Sequence, residues 1–169
     1  MLPHFDINVI LDYLAQYGLY FLFLIVFLEY LNLPGLPAGI IMPATGILIA
    51  RGSMDVWAAV IISVIAGLSG SLILYLIGYH FGRPLLDKIH KKYEKTRKPI
   101  DKLLEALDRY GSKGVFIVRL VPVARTLISV VAGASRLNAF SFTIYSILGI
   151  FIWNAALIFF GYAFGHLLF

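Results

Sequence analysis

Cysteine is absent from the 169 residues. That excludes a disulfide framework, a thiolate metal site and a cysteine nucleophile. Histidine is scarce, and His4, His80, His90 and His166 stand apart without metal-ligand spacing. No clustered aspartates are present to suit a metal-dependent phosphotransferase. No metal, cofactor or enzymatic activity is therefore expected. The first residues, Met-Leu-Pro-His-Phe-Asp, lack a basic n-region, and no small-residue cleavage site follows the first apolar run, so no signal peptide is expected. Charge is missing over long stretches: residues 137–169 contain no Asp, Glu, Lys or Arg.

What is present is apolar. Hydrophobic residues make up 60% of the chain, which places it among membrane proteins. The net charge of +5 is concentrated, because residues 83–113 hold ten Lys/Arg and five Asp/Glu. Elsewhere four arginines balance Asp6, Asp12, Glu29 and Asp55. A basic loop between apolar runs is the positive-inside pattern, so 83–113 is placed on the cytoplasmic side of the plasma membrane. It does not indicate nucleic-acid binding.

Residues 1–169 are read as one membrane domain. Residues 7–30 form a helix, entering along the interface and then crossing. Residues 31–51 are apolar but broken by Pro34, Pro37 and Pro43 among Gly35, Gly39 and Gly46. Proline removes a backbone donor, and broken backbone at membrane depth needs protein or a watery cavity around it. A re-entrant hairpin satisfies this; a kinked full span is the competing reading. Residues 56–80 form an uncharged transmembrane helix, with Asp55 at its N-cap. Its small residues, Ala66, Gly67, Ser69, Gly70 and Ser71, allow close helix approach. Residues 83–113 carry two amphipathic helices separated at Pro99 and stopped at Gly111. Residues 115–134 are a second broken apolar segment, around Pro122 and Gly133, and 137–169 span again.

Two arginines lie inside the second broken segment: Arg119 and Arg125. A charge at membrane depth costs at least ~2.5–3.5 kcal/mol on insertion scales. A guanidinium fork suits phosphate or carboxylate, so the pair is read as an anion site for a lipid phosphate. On one continuous helix, residues six apart point about 120° from each other. Pro122 lies between them and disfavours helical geometry just before it, so a break lets both converge. The break also leaves backbone N–H groups free around residues 123–126, while Thr126 and Ser129 add hydroxyls. In the competing reading one arginine snorkels to the interface and the other pairs with a carbonyl or Glu29. Glu29 is a candidate proton-coupling acid or a permanent counter-ion; a plain interfacial role is the alternative. Asn154 is polar and mid-span, and is expected to bond to a neighbouring helix. Arg51 and Arg136 occupy corresponding places after the two hairpins, where interfacial anchoring is expected.

The halves resemble each other. Leu76-Ile-Gly-Tyr-His-Phe-Gly82 is similar to Phe159-Phe-Gly-Tyr-Ala-Phe-Gly165, and each closes a span that follows a broken segment. With 83–113 inside, the first span runs inward and the second outward. Inverted repeats with discontinuous helices are a transporter signature. The expected fold class is thus an all-α polytopic membrane protein with two inverted repeats. Each has a re-entrant helical hairpin and a transmembrane helix, with the cytoplasmic amphipathic segment between them.

These residues resemble the DedA family, also described as VTT-domain or SNARE-associated-like membrane proteins. The resemblance covers nearly the whole chain. Its most specific part is Phe116-Ile-Val-Arg119-Leu-Val-Pro122-Val-Ala-Arg125-Thr126 followed by Ala132-Gly133, similar to the family's F-x-x-R-x-x-P-x-x-R-T pattern. Glu29 before Pro34 and Pro37 is similar to the family's acid ahead of a proline-rich hairpin, and Gly161-Tyr-Ala-Phe-Gly165 is a third match. Many members carry a second acid after the hairpin Pro-Gly. Here Gly39 follows Pro37-Ala38, so Glu29 would act alone. The resemblance implies movement of lipids between leaflets, with undecaprenyl phosphate or phospholipids such as phosphatidylethanolamine as substrates. Flippase and scramblase activities both fit, and so does a homodimer. Arg119, Arg125 and Glu29 would be the essential residues. The runner-up is an ion-coupled transporter of a small anionic solute, served by the same repeats and arginines.

Overall fold

The computed structural model describes residues 7–31, 39–92, 94–122 and 124–168. Among them are seven helices and no strand: α1 Ile7–Tyr30, α2 Ile41–Ala50, α3 Val56–Lys92, α4 Glu94–Tyr110, α5 Ser112–Arg119, α6 Ala124–Ala134 and α7 Ala139–Leu168. Pro34 and Pro37 lie outside the described residues.

Two stretches are long and apolar enough to cross a bilayer: Val56–Gly82 (27 residues, mean hydropathy 2.4) and Ala139–Leu167 (29 residues, 2.0). At 1.5 Å per residue each is about 40 Å long, more than the ~30 Å hydrocarbon core. Only 39% and 28% of their most apolar windows are buried by protein, whereas a soluble core helix would be covered. Phe140, Phe160 and Leu167 stand exposed along α7, and Trp57 and Ile61 along α3, a surface suited to lipid rather than water. Helices α2, α5 and α6 have 10, 8 and 11 residues and are too short to cross.

Three glycines punctuate the chain with nearly one geometry. Gly18 (φ 55°, ψ −129°) interrupts α1, Gly82 (φ 54°, ψ −148°) interrupts α3, and Gly111 (φ 56°, ψ −138°) separates α4 from α5. A side chain is strained at such values. The span of α3 therefore ends at Gly82, and its remainder, to Lys92, belongs to the polar segment. Pro99 does not separate two helices as expected, because α4 runs through it. The lost backbone bond is outweighed by the buried stripe that follows, Ile100, Leu103 and Leu107.

The chain divides into two compact units, Met1–Gly70 with Phe151–Phe169, and Ser71–Ile150. In the first, α1 buries Leu22, Ile25, Val26, Glu29 and Tyr30, one face of a 3.6-residue repeat. A Cβ on Gly70 would lie 2.9 Å from the Phe27 carbonyl, so α3 and α1 meet nearly backbone to backbone. A Cβ on Gly46 of α2 would collide with the Ile158 carbonyl and lie 2.6 Å from Tyr162 N, while one on Gly161 of α7 would strike the Pro43 carbonyl. Asn154 bridges helices as expected: Tyr30 Oη donates to its Oδ1 (3.2 Å), and its Nδ2 donates to Ser63 Oγ (3.2 Å).

In the second unit, α6 meets α3 in the same manner. A Cβ on Gly133 would collide with the Tyr75 carbonyl and lie 2.8 Å from Tyr79 N; one on Gly78 would strike the Val130 carbonyl. Val115, Ile128, Val131 and Phe142 form the core beside the α4 stripe, with Tyr75 stacked on Phe142 at 4.6 Å.

Candidate functional site

Helix α5 ends at Arg119 and α6 begins at Ala124, so the chain breaks around Pro122 as its sequence requires. Leu120 N and Val121 N donate to the Ile117 and Val118 carbonyls, a tightened last turn (3.2 and 3.0 Å). Both arginines are buried, Arg119 with 1% of its surface exposed and Arg125 with 3%. Neither snorkels.

Arg119 is held by two helices, α6 and α7. Its Nη2 donates to Ser129 Oγ on α6 (3.2 Å) and Ser146 Oγ on α7 (2.9 Å). Its Nη1 reaches the Arg125 carbonyl at 3.4 Å. The guanidinium carbon lies 5.5 Å from the centre of the Phe142 ring, within cation–π range. A Cβ on Gly149 would lie 2.8 Å from Arg119 Cβ and 3.0 Å from Cδ, so the absent side chain makes the room the arginine fills. Phe142, Ser146 and Gly149 recur at helical spacing and form one face of α7.

The expected site residues thus meet in part. Arg119, Arg125 and Ser129 share the second unit and the contacts above. Thr126 lies in α6, with its side chain outside the described residues. Glu29 lies in the first unit, buried at 4% exposure on the inward face of α1, and not at an exposed interfacial helix end. The expected free amide at Arg125 is corrected: its N–H donates to the Val121 carbonyl at 3.1 Å. Pro43 and Gly46 lie in α2, and Gly133 near the end of α6. Ser146, Phe142 and Gly149 were not expected; they sit in an apolar run with no charge or proline to mark them.

One smaller correction concerns the helix ends. Ser53 N donates to the Leu48 carbonyl (3.1 Å) and Leu137 N to the Ala132 carbonyl (3.0 Å), the same C-terminal closure at α2 and α6. The left-handed residue is Gly52 (φ 77°) at the first and Arg136 (φ 53°) at the second. Arg136 therefore corresponds to Gly52, and Arg51 to Ser135. Asp55 caps α3 through Ala58 N (2.8 Å), and Asn138 caps α7 through Ser141 N (3.1 Å).

Among the described residues no three His, Asp or Glu side chains group as metal ligands. Two clefts flank the short helices. One, of about 300 Å³, is mostly apolar and lies along α2 between Gly39 and Arg51. The other, of about 440 Å³, lies where the α3 span ends, between His80 and Arg136.

The VTT domain family matches residues 36–163. Undecaprenyl phosphate transporter A of Staphylococcus aureus (strain NCTC 8325 / PS 47) is 32% identical over 158 residues, which cover 91% of this chain and 77% of the relative. Protein DedA of Escherichia coli (strain K12) is 29% identical over 169 residues, covering 96% and 76%. A protein of Lactococcus lactis subsp. lactis (strain IL1403) named alkaline phosphatase-like is 26% identical over 163 residues, covering 94% and 76%. No solved structure matches the chain.

Proposed function

Because the chain belongs to the VTT-domain family of DedA-type membrane proteins, we propose that it moves a phosphate-bearing lipid between bilayer leaflets. The observation that carries this is the buried arginine pair at one helix break. A guanidinium fork at membrane depth matches the geometry of a phosphate, so the pair suits a lipid headgroup. Arg119, braced by Ser129 and Ser146, sets the positive field. Arg125 offers its fork to the headgroup, while the tails stay in the bilayer. The name of the Staphylococcus relative supports a polyprenyl phosphate, and a phospholipid such as phosphatidylethanolamine carries the same recognition chemistry. Glu29, buried on α1, is the acid we assign to proton coupling.

We read the fold as two inverted repeats, each with a re-entrant hairpin. Short helices that cannot cross support it, and so does the repetition of detail. Asp55 and Asn138 cap the two spans; Gly78 and Gly161 each lie 23 residues after their cap and take a hairpin helix against the backbone. Ser63 and Ser146, each eight residues after its cap, are both buried and both accept a buried donor. In this reading 83–113 faces the cytoplasm of a multi-pass plasma-membrane protein.

The test is fluorescent-lipid accessibility in proteoliposomes. Arg125→Ala should abolish flipping, and Arg125→Lys should impair it severely, because a point charge does not replace a bidentate fork. Normal flipping by folded Arg125→Ala protein would remove the anion role. The relative named alkaline phosphatase-like makes one control necessary: release of inorganic phosphate from a lipid monophosphate in the same vesicles. The transport reading expects none.

A further inference from the structure

We infer that the cleft at the inner end of the α3 span is a second anion site, where a phosphate headgroup lands at the bilayer rim before reaching the buried arginines. This rests on the lipid-phosphate reading above. Tyr79, His80, Gly82, Pro84, Ser135 and Arg136 line the cleft of about 440 Å³, and no carboxylate lines it among the described residues. Arg136 and His80 are both exposed. The Arg136 guanidinium carbon lies 5.6 Å from the centre of the Tyr79 ring, which orients the fork.

The choice of residues points the same way. Arg136 has φ 53° at a C-terminal closure where α2 uses Gly52. Glycine is the unstrained residue there, and a non-glycine in this region costs of order 1–3 kcal/mol. The arginine here sets a guanidinium in the lining of the cleft. His80 stands where the second copy of the motif has Ala163, in Gly-Tyr-His-Phe-Gly against Gly-Tyr-Ala-Phe-Gly. The two closures share a backbone plan, yet only this one sets its arginine at the left-handed position. Nearby, α6 connects the two sites. Eleven residues separate Arg125 from Arg136, about 16 Å of helix rise, with Ser129 buried between them.

The absence of cysteine permits a test that does not depend on transport. Ser135→Cys places one thiol in the cleft, and its labelling by a water-soluble maleimide is followed in phosphatidylcholine vesicles. Doping with phosphatidic acid should slow labelling, whereas diacylglycerol at the same fraction should not. Arg136→Gly, which relieves the backbone strain and so should fold, should weaken that protection about tenfold, the scale of one charge-assisted contact. His80→Ala should weaken it less. Protection should persist in Arg125→Ala, so this result stands or falls apart from the flipping assay. If inorganic phosphate protects as well as phosphatidic acid, the anion site stands but its ligand is soluble and the landing role fails. Equal protection with and without Arg136, or equal protection by diacylglycerol, would overturn the site.

Discussion

A buried guanidinium needs acceptors from its host, and Arg119 finds them in two serine hydroxyls and a backbone carbonyl. Hydrogen bonds to a charged group contribute about 1.5–3 kcal/mol each. Ser146→Ala should therefore lower the thermal stability of the purified protein by a few degrees and slow flipping, because Arg119 loses a brace. Ser71→Ala is the contrast. Ser71 is fully buried and its Oγ meets no partner among the described residues, so its removal should leave stability unchanged or slightly raised. A Ser71→Ala loss as large as the Ser146→Ala loss would mean that bracing is not what matters. The arginines were legible in the sequence because a charge in an apolar run and a proline between them are local signals. Ser146 and Gly149 were not. They lie 27 and 30 residues beyond Arg119 on another helix, and only folding brings them to it.

At the scale of helices, the short elements are held by contacts that admit no side chain. A Cβ at Gly133 meets the Tyr75 backbone and one at Gly46 meets the Ile158 backbone. Gly133→Ala should thus push α6 away from α3, costing about 1–3 kcal/mol or more of overpacking strain, with loss of monodisperse protein in detergent gel filtration. Ala substitution at Gly165, whose added Cβ would face the Ala50 side chain at 2.8 Å, should be milder. The apolar runs, the break at Pro122 and the polar segment were readable as elements because hydropathy and period are written locally. The interruption at Gly18 was not, since a mid-helix glycine is compatible with both a straight and a bent path. Pro99 misled for the opposite reason: its local cost is visible in sequence, whereas the burial of Ile100, Leu103 and Leu107 that outweighs it is not.

For the whole molecule, the proposed inverted repeats carry a directional consequence. Ser53, exposed between α2 and α3, and Lys113, exposed in the first turn of α5, should face opposite sides of the membrane. In intact cells an impermeant maleimide should label Ser53→Cys at once and Lys113→Cys only after permeabilisation. Labelling of both from outside would sink the topology, whatever the arginines do. The same inventory of glycines has a mechanical corollary. Where two main chains touch directly there is no rotamer to swing aside and little slack to absorb a displacement. Helix α2 with α7 in the first unit, and α6 with α3 in the second, should therefore travel as stiff splints, and a guest that tilts one member must carry its mate along.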